Sequence, residues 1–285
     1  QLQKFPNKIL LNGPKGIGKK IFVNHFLNYF YLKENKQSYN LKNYEYNLSN
    51  NISKIISSNT HPNVLKIYRK NDKKIIDIDQ IREMIKFTNQ TSFNNDRRFI
   101  IIENVNLLGI NSANALLKSI EEPNNKIHFI LINNSEFKVL ETIKSRCLEF
   151  KLNLLNSEVM EIVNYHFEAD IYKDINLDFI NNYNSPSFLI SLVNFLESND
   201  LSIKDNSIEN LLAYIIKNKS YTSNDFIKEY LNLFIELFFY KNINISKKIS
   251  FKIKKYFYLK LSFVKKYNLD FESFFLEFND KLLSE

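Results

Sequence analysis

Glycine decides where a chain can turn tightly, and this chain has almost none. Four glycines serve 285 residues, and three of them, Gly13, Gly16 and Gly18, fall in one stretch of ten, Leu11–Lys20. Glycine lets backbone enter left-handed conformations and approach a ligand closely. The run Ile9-Leu10-Leu11 leads into the stretch, and Ile21, Phe22, Phe26, Leu27 and Phe30 lead out with helical spacing. Strand, glycine loop and helix in that order form the setting of a phosphate-binding P-loop.

The segment Gly13–Lys20 matches G-x-x-x-x-G-K-[ST] at Gly13, Gly18 and Lys19 and departs from it at Lys20. In such a loop the backbone amides and the helix N-terminus cradle phosphate oxygens. The lysine reaches the outer phosphates and the final hydroxyl ligates Mg²⁺. An ammonium accepts nothing and cannot replace that hydroxyl. The segment therefore predicts a P-loop-type fold with Gly13, Gly16, Gly18 and Lys19 as phosphate contacts and a damaged hydrolytic site. A glycine-rich turn with no ligand is the competing reading, and ATP binding stays open.

Apolar runs at Lys8–Leu11, Val64–Tyr68, Phe99–Ile102, Ile127–Ile132 and Leu148–Lys151 read as strands. The run Phe99-Ile100-Ile101-Ile102 is apolar without alternation, as in a central parallel strand covered on both faces. Helical patterns fall between them at Lys20–Leu32, Asp77–Asn89, Asn111–Glu122 and Val139–Lys144. Alternation of this kind predicts a parallel α/β sheet. The polar, Asn-rich stretch Glu34–Asn59 reads as an irregular insertion with a short helix near Ile52–Ser57. After about Leu154 strand signals cease. Ser157–Phe167, Asp174–Tyr183 and Pro186–Glu197 read as short helices, Asn199–Ser207 as a linker, and 208–217, 223–239, 246–267 and 271–283 as longer amphipathic helices. The expected organisation is an α/β domain over 1–153, a small helical lid over 154–200 and an all-helical C-terminal domain over 201–285.

The strand Phe99–Ile102 ends in Glu103-Asn104. Glu103 stands where an acid would ligate Mg²⁺, but Asn104 is an amide that takes no proton; a solvated strand end is the plainer alternative. Asn133 and Asn134 follow the next strand, as γ-phosphate sensors or as an ordinary turn. Ser145-Arg146-Cys147 precedes the last strand, and Arg146 is either an exposed surface residue or a guanidinium aimed at a phosphate in another subunit. Cys147, the sole cysteine, reads as a small buried apolar residue. It excludes an internal disulfide and any multi-cysteine zinc site.

The chain carries a net charge of +8 and a pI near 9.2. That permits an acidic partner such as nucleic acid, although abundant Asn, Lys, Ile, Phe and Tyr match the bias of an AT-rich genome and discount the signal. No apolar run is long enough to span a membrane, and neither a signal peptide nor an oxidising compartment is expected, a reducing cytoplasm being the natural reading. The chain begins at Gln1 with a strand within ten residues, which points to a missing N-terminal element.

Taken together, Ser112–Pro123 (SANALLKSIEEP), Ile127–Asn134 and Thr142–Cys147 (TIKSRC) closely resemble bacterial DNA polymerase III clamp-loader subunits of the AAA+ family. His61-Pro62-Asn63 resembles the family's His-Pro-Asp, and Asn184-Ser185-Pro186-Ser187 resembles the family's lid turn, whose nucleotide-sensing arginine falls here at Phe188. The resemblance covers roughly residues 1–200; beyond it the helices match only in kind, as the family's collar. It implies an AAA+ P-loop domain, a lid and a collar. It also implies a non-hydrolysing stator rather than a gamma/tau-like motor, because Lys20, Asn104 and Phe188 each remove a part of an ATPase while Arg146 is retained. The implied role for Arg146, with Ser145 and Cys147 in the same tripeptide, is to act in trans on a neighbour's ATP. The implied partners are gamma/tau motor and delta subunits, the sliding clamp, and primer–template DNA through the assembly. Many family members hold a Cys₄ zinc module after the first helix, and this chain lacks its cysteines.

Two other readings stand beside this one. Lys19 and Glu103 keep an active ATPase open. Lys247, Lys248, Lys252, Lys254, Lys255, Lys260, Lys265 and Lys266, interleaved with Phe251, Tyr256, Phe257, Tyr258 and Phe263, would suit a single-strand DNA-binding surface, or a collar helix with its rings in the core.

Overall fold

The computed structural model describes residues 5–32, 39–70, 73, 75–91, 94, 96–121, 126–180, 184–245, 249–267 and 269–283. The chain divides into two compact units, Gln1–Leu154 and Leu155–Glu285.

In the first unit β1 (Lys8–Gly13) runs through the glycine loop into α1 (Lys19–Leu32). A hairpin of β2 (Tyr39–Asn40) and β3 (Glu45–Tyr46) precedes α2 (Asn51–Ser57) and β4 (Val64–Ile67). Then come α3 (Ile78–Asn89), β5 (Arg98–Glu103), α4 (Ile110–Glu121), β6 (Ile127–Asn134), α5 (Glu141–Lys144) and β7 (Leu148–Lys151). The five long strands form one sheet in the order β4-β5-β6-β1-β7, with every adjacent pair parallel. This is the α/β sheet that the alternating pattern predicts.

Both faces of the sheet are covered, as the unbroken apolar strands require. On β5, Phe99 and Ile101 face α1 with Val23, Leu27 and Phe30. Ile100 and Ile102 face α3 and α4 with Ile81, Met84, Ala113, Leu116 and Ile120. Phe99 is fully buried, with ring centroids of Phe30 at 4.9 Å, Phe26 at 5.5 Å, Tyr31 at 6.0 Å and His128 at 5.3 Å. Asp77 caps α3, accepting from the backbone N–H of Asp79.

The insertion after α1 departs from the expected irregular stretch. Tyr39 pairs with Tyr46 and Asn40 with Glu45, and the rings of Tyr39 and Tyr46 lie against Tyr29 and His25 of α1 at 5.5 Å and 5.0 Å. Strands of two residues carry no readable periodicity; aromatic contact with the helix holds them. Residues 34–38 of that stretch, Glu122 and Pro123 of the α4 motif, and residues 246–248 at the start of the helix expected over 246–267 lie outside the described residues.

The second unit is helical: α6 (Asn156–Phe167), α7 (Ile171–Asp174), α8 (Pro186–Ser198), α9 (Ile208–Lys217), α10 (Ser220–Ser223), α11 (Asp225–Tyr240), α12 (Phe251–Tyr267) and α13 (Phe271–Leu282). Of the helix expected over Asp174–Tyr183, residues 181–183 lie outside the described residues, and the rest is replaced by the end of α7 and a 3₁₀ turn at Leu177–Phe179. Asn176 accepts from the Asp178 N–H, and such local side-chain bonds compete with helix continuation. Asp178 and Glu209 both receive the Lys241 ammonium, at 2.7 Å and 2.8 Å, tying the 3₁₀ turn, α9 and the end of α11 together. Among the described residues, no helix is long and apolar enough to cross a membrane.

Truncating Phe99 to alanine removes the ring on which five aromatic neighbours, Phe5 included, converge. Such a cavity costs about 3–5 kcal/mol. Urea unfolding of the full chain is expected to show that loss, with a lowered midpoint and an unchanged slope.

Candidate functional site

The glycine loop sits at the C-terminal edge of the sheet, between the end of β1 and the start of α1. Gly16 and Gly18 hold φ of 80° and 90°, the left-handed region that glycine enters freely. At Gly13 a Cβ would collide with the carbonyl oxygen of Leu152. The loop therefore needs its glycines for two different reasons, backbone conformation and close approach.

Lys19 does not extend outward. It is 6% exposed, and its ammonium donates to the carbonyl oxygens of Gly13 at 2.7 Å and Pro14 at 2.5 Å. Burial pulls it down to about 8, with Glu136 opposing. Lys20, in the position of the missing hydroxyl, forms an ion pair with Glu103 at the end of β5. The acid that the sequence offers for Mg²⁺ is thus already held by a cation from the chain itself.

Asn104, where a water-activating acid would stand, adopts a left-handed conformation with φ 53°. Its Oδ1 accepts from Asn134 Nδ2 at 3.1 Å. Asn133 is buried, and its amide nitrogen lies 3.0 Å from Asn12 Oδ1, 2.9 Å from the Asn134 carbonyl and 3.0 Å from the Phe137 carbonyl. Asn12 in turn donates to Glu149 at 2.8 Å, and that bond is the main cause holding the Glu149 carboxyl below its usual range. These amides are occupied in joining β6, β1 and β7.

Arg146 lies in the exposed turn between α5 and β7. Its side chain is 37% exposed; one guanidinium nitrogen donates to the Thr142 carbonyl and another to Glu121 Oε1, each at 2.9 Å. Because β7 runs parallel to β1 with Leu148 level with Ile9, Arg146 is at the N-terminal edge of the sheet. Four strand positions separate Ile9 from Gly13, about 13 Å at 3.3 Å per residue. Arg146 and its own glycine loop therefore sit at opposite edges. Ser145 is exposed and donates to the Thr142 carbonyl at 3.2 Å. Cys147 is half-buried, and burial pushes its thiol up to about 11, so at neutral pH it is a packing group and not a nucleophile.

Phe188, the position of the lid arginine in the resemblance, is 1% exposed. Its ring packs against Tyr230 at 5.1 Å, Phe234 at 5.8 Å and Phe226 at 6.3 Å, while Ser185 caps the same helix by accepting from the Phe188 N–H. On α12, Phe257 is fully buried, while Phe251, Tyr256 and Phe263 are exposed. Lys260 pairs with Glu277 of α13, and Lys265 donates to Asn232 of α11 at 2.6 Å. Among the described residues, no group of three or more His, Cys, Asp and Glu stands close enough to hold a metal ion.

Sequence reasoning missed two participants. Glu121 gave no signal of its own as the partner of Arg146. Lys66 had one, a single charge inside the apolar strand β4. Its ammonium donates to Asn24 Oδ1 at 3.0 Å and to the Ile56 carbonyl at 3.2 Å.

Comparison with known proteins places relatives around this geometry. The family model described as "DNA polymerase III, delta subunit" matches residues 1–156. The DNA polymerase III subunit delta-prime of Pseudomonas aeruginosa is 30% identical over 140 residues, covering 49% of this chain and 41% of that protein. The subunit delta-prime of Buchnera aphidicola is 33% identical over 169 residues, covering 59% and 49%. The subunit gamma from the same Buchnera source is 41% identical over 81 residues, covering 28% and 22%. The chain thus spans about half or less of the length of these relatives.

The Lys19 environment has a pH signature. Its folded-state pKa, about 8, lies below the ordinary 10.5. Between those values the unfolded chain binds a proton that the folded chain does not, so stability rises with pH across that window. Urea unfolding at pH 7.5 and pH 10 is expected to show wild type gaining up to about 3 kcal/mol relative to Lys19→Met. Parallel profiles for the two proteins would contradict it.

Proposed function

The chain belongs to the family described as DNA polymerase III, delta subunit, and on that premise we propose that it is a delta-prime subunit, the non-hydrolysing stator of a clamp loader. The observation that carries this reading is one contrast. Lys20, Asn104 and Phe188, the positions where an ATPase needs its hydroxyl, its acid and its lid arginine, are tied to Glu103, to Asn134 and to a ring cluster. Arg146, paired only with the half-exposed Glu121, is retained at the edge of the sheet away from its own loop.

A guanidinium suits this role because it is always charged and its planar fork matches two phosphate oxygens at once. Its present partner, Glu121, is half exposed, and surface pairs of this kind contribute about 0–1 kcal/mol. A γ-phosphate on a neighbouring subunit therefore displaces Glu121 at little cost. In this mechanism the C-terminal helices assemble as a collar with gamma/tau and delta subunits. The α/β unit presents Arg146 to ATP held by the adjacent motor. Closing that site couples ATP binding to opening of the sliding clamp around primer–template DNA, and hydrolysis helped by Arg146 releases the clamp. Chromosome replication makes the cytoplasm the site of action.

Exposed Leu140, at the start of α5, and Leu148, at the start of β7, stand on either side of the Arg146 turn in the chain and support the reading that this edge meets another protein surface. The alternative of turnover within this chain has less support: Lys19 is engaged with its own loop and Glu103 with Lys20.

The test is DNA- and clamp-stimulated ATPase of the reconstituted loader. Arginines supplied in trans contribute about 10³–10⁵ in rate in other phosphoryl-transfer systems. Arg146→Ala is expected to lower the assembly's rate by at least about tenfold with this chain still folded and incorporated, and the chain alone is expected to turn over no ATP. An unchanged rate in the assembled variant would remove the trans role.

A further inference from the structure

Beside the glycine loop, on the α1 face of the sheet, there is a cleft of about 320 Å³. Lys20 and Asn24 of α1 form one wall, Asn59 beyond α2 another, and Lys66, Tyr68 and Glu103 line the side formed by β4 and β5. The cleft gathers two ammonium groups and one carboxylate. Lys20 is already paired with Glu103, so Lys66 adds a charge with no carboxylate of its own.

The Lys66 ammonium is satisfied by neutral oxygens only, those of Asn24 and Ile56. An ammonium has three donors, and two are used here. Burial pulls Lys66 below its ordinary range; Glu103 opposes that and Lys20 adds to it. A partly desolvated lysine facing a second lysine is an arrangement that a bound anion relieves, because an opposite charge within a few ångströms favours the charged form. The start of α1 adds its positive dipole end on the same side. A carboxylate is already present as Glu103, and what it holds is an ammonium in place of a metal ion.

We propose that this cleft is a metal-independent binding site for a phosphate-class anion, with Lys66 and Lys20 as its cationic contacts and Lys20 serving, on Glu103, as a tethered substitute for a divalent ion. The anion is either free phosphate or pyrophosphate, or the outer phosphates of a nucleotide whose remainder lies along the glycine loop. The proposal is independent of the stator role, because nothing in it involves Arg146.

The test is thermal unfolding of the full chain with sodium pyrophosphate, inorganic phosphate or ATP, each in EDTA and in Mg²⁺, with sodium chloride at matched ionic strength as control. A ligand that binds only the folded state raises its midpoint with concentration. Pyrophosphate is expected to raise the midpoint saturably in EDTA, and Mg²⁺ is expected not to strengthen the effect. Lys66→Gln should abolish the shift. Lys20→Thr, which restores a metal-ligating hydroxyl and frees Glu103, should lose the shift in EDTA and regain it in Mg²⁺; this variant keeps the proposal testable if Lys66→Gln fails to fold. A response to ATP together with pyrophosphate means a nucleotide's outer phosphates occupy the cleft, and a response to pyrophosphate or phosphate without ATP means a free anion does. A response to ATP alone would put the anion in the loop and overturn the cleft. No saturable shift in EDTA, a requirement for Mg²⁺ in wild type, or an unaltered shift in both variants would equally overturn it.

Discussion

The register of β1 between two parallel neighbours is the constraint on which the first unit depends. Hydrogen bonding to β6 on one side and β7 on the other fixes the height of every residue along these strands. Strands that run the same way must send their ends to the same edge. The glycine loop after β1, Glu103 at the end of β5 and Asn134 at the end of β6 therefore meet at one edge. Arg146, just before β7, is left at the other. A single directional choice in the backbone separates the glycine loop from Arg146.

At the loop edge, the side chains that replace an ATPase's working parts are engaged with one another. The ammonium of Lys20 satisfies Glu103, Asn104 accepts from Asn134, and Lys19 closes on the carbonyls of its own loop. Buried or half-buried polar groups need partners, and here the chain supplies them internally. In the second unit the same logic is apolar: Phe188 fills a pocket of rings. A charged guanidinium there would be buried among rings, which is costly without a charged partner.

Much of this was legible in the chain. The glycine cluster, the unbroken apolar strands and the 3.6-residue spacing of Ala113, Leu116 and Ile120 each report a strong local requirement, and each corresponds to an observed element. The hairpin of Tyr39 and Tyr46 was not legible, because two-residue strands have no period and depend on rings from α1. The break at Leu177–Phe179 was missed because an Asn side chain competing for one N–H leaves the apolar spacing intact. Glu121 was invisible as a partner because 25 residues separate it from Arg146.

By itself, the sequence determined the five long strands and the longer helices, where the phosphate-type loop lies and which residue types are missing from it, since each of these follows from local spacing and from the chemistry of single side chains. Only the tertiary structure decided what those residues do. That Lys20 sits on Glu103, that Lys66 joins it in one cleft, that Phe188 is core and that Arg146 stands away from its own loop are all consequences of strand order and packing. Contacts between residues far apart in sequence are set by which strands become neighbours, and no local pattern encodes that order.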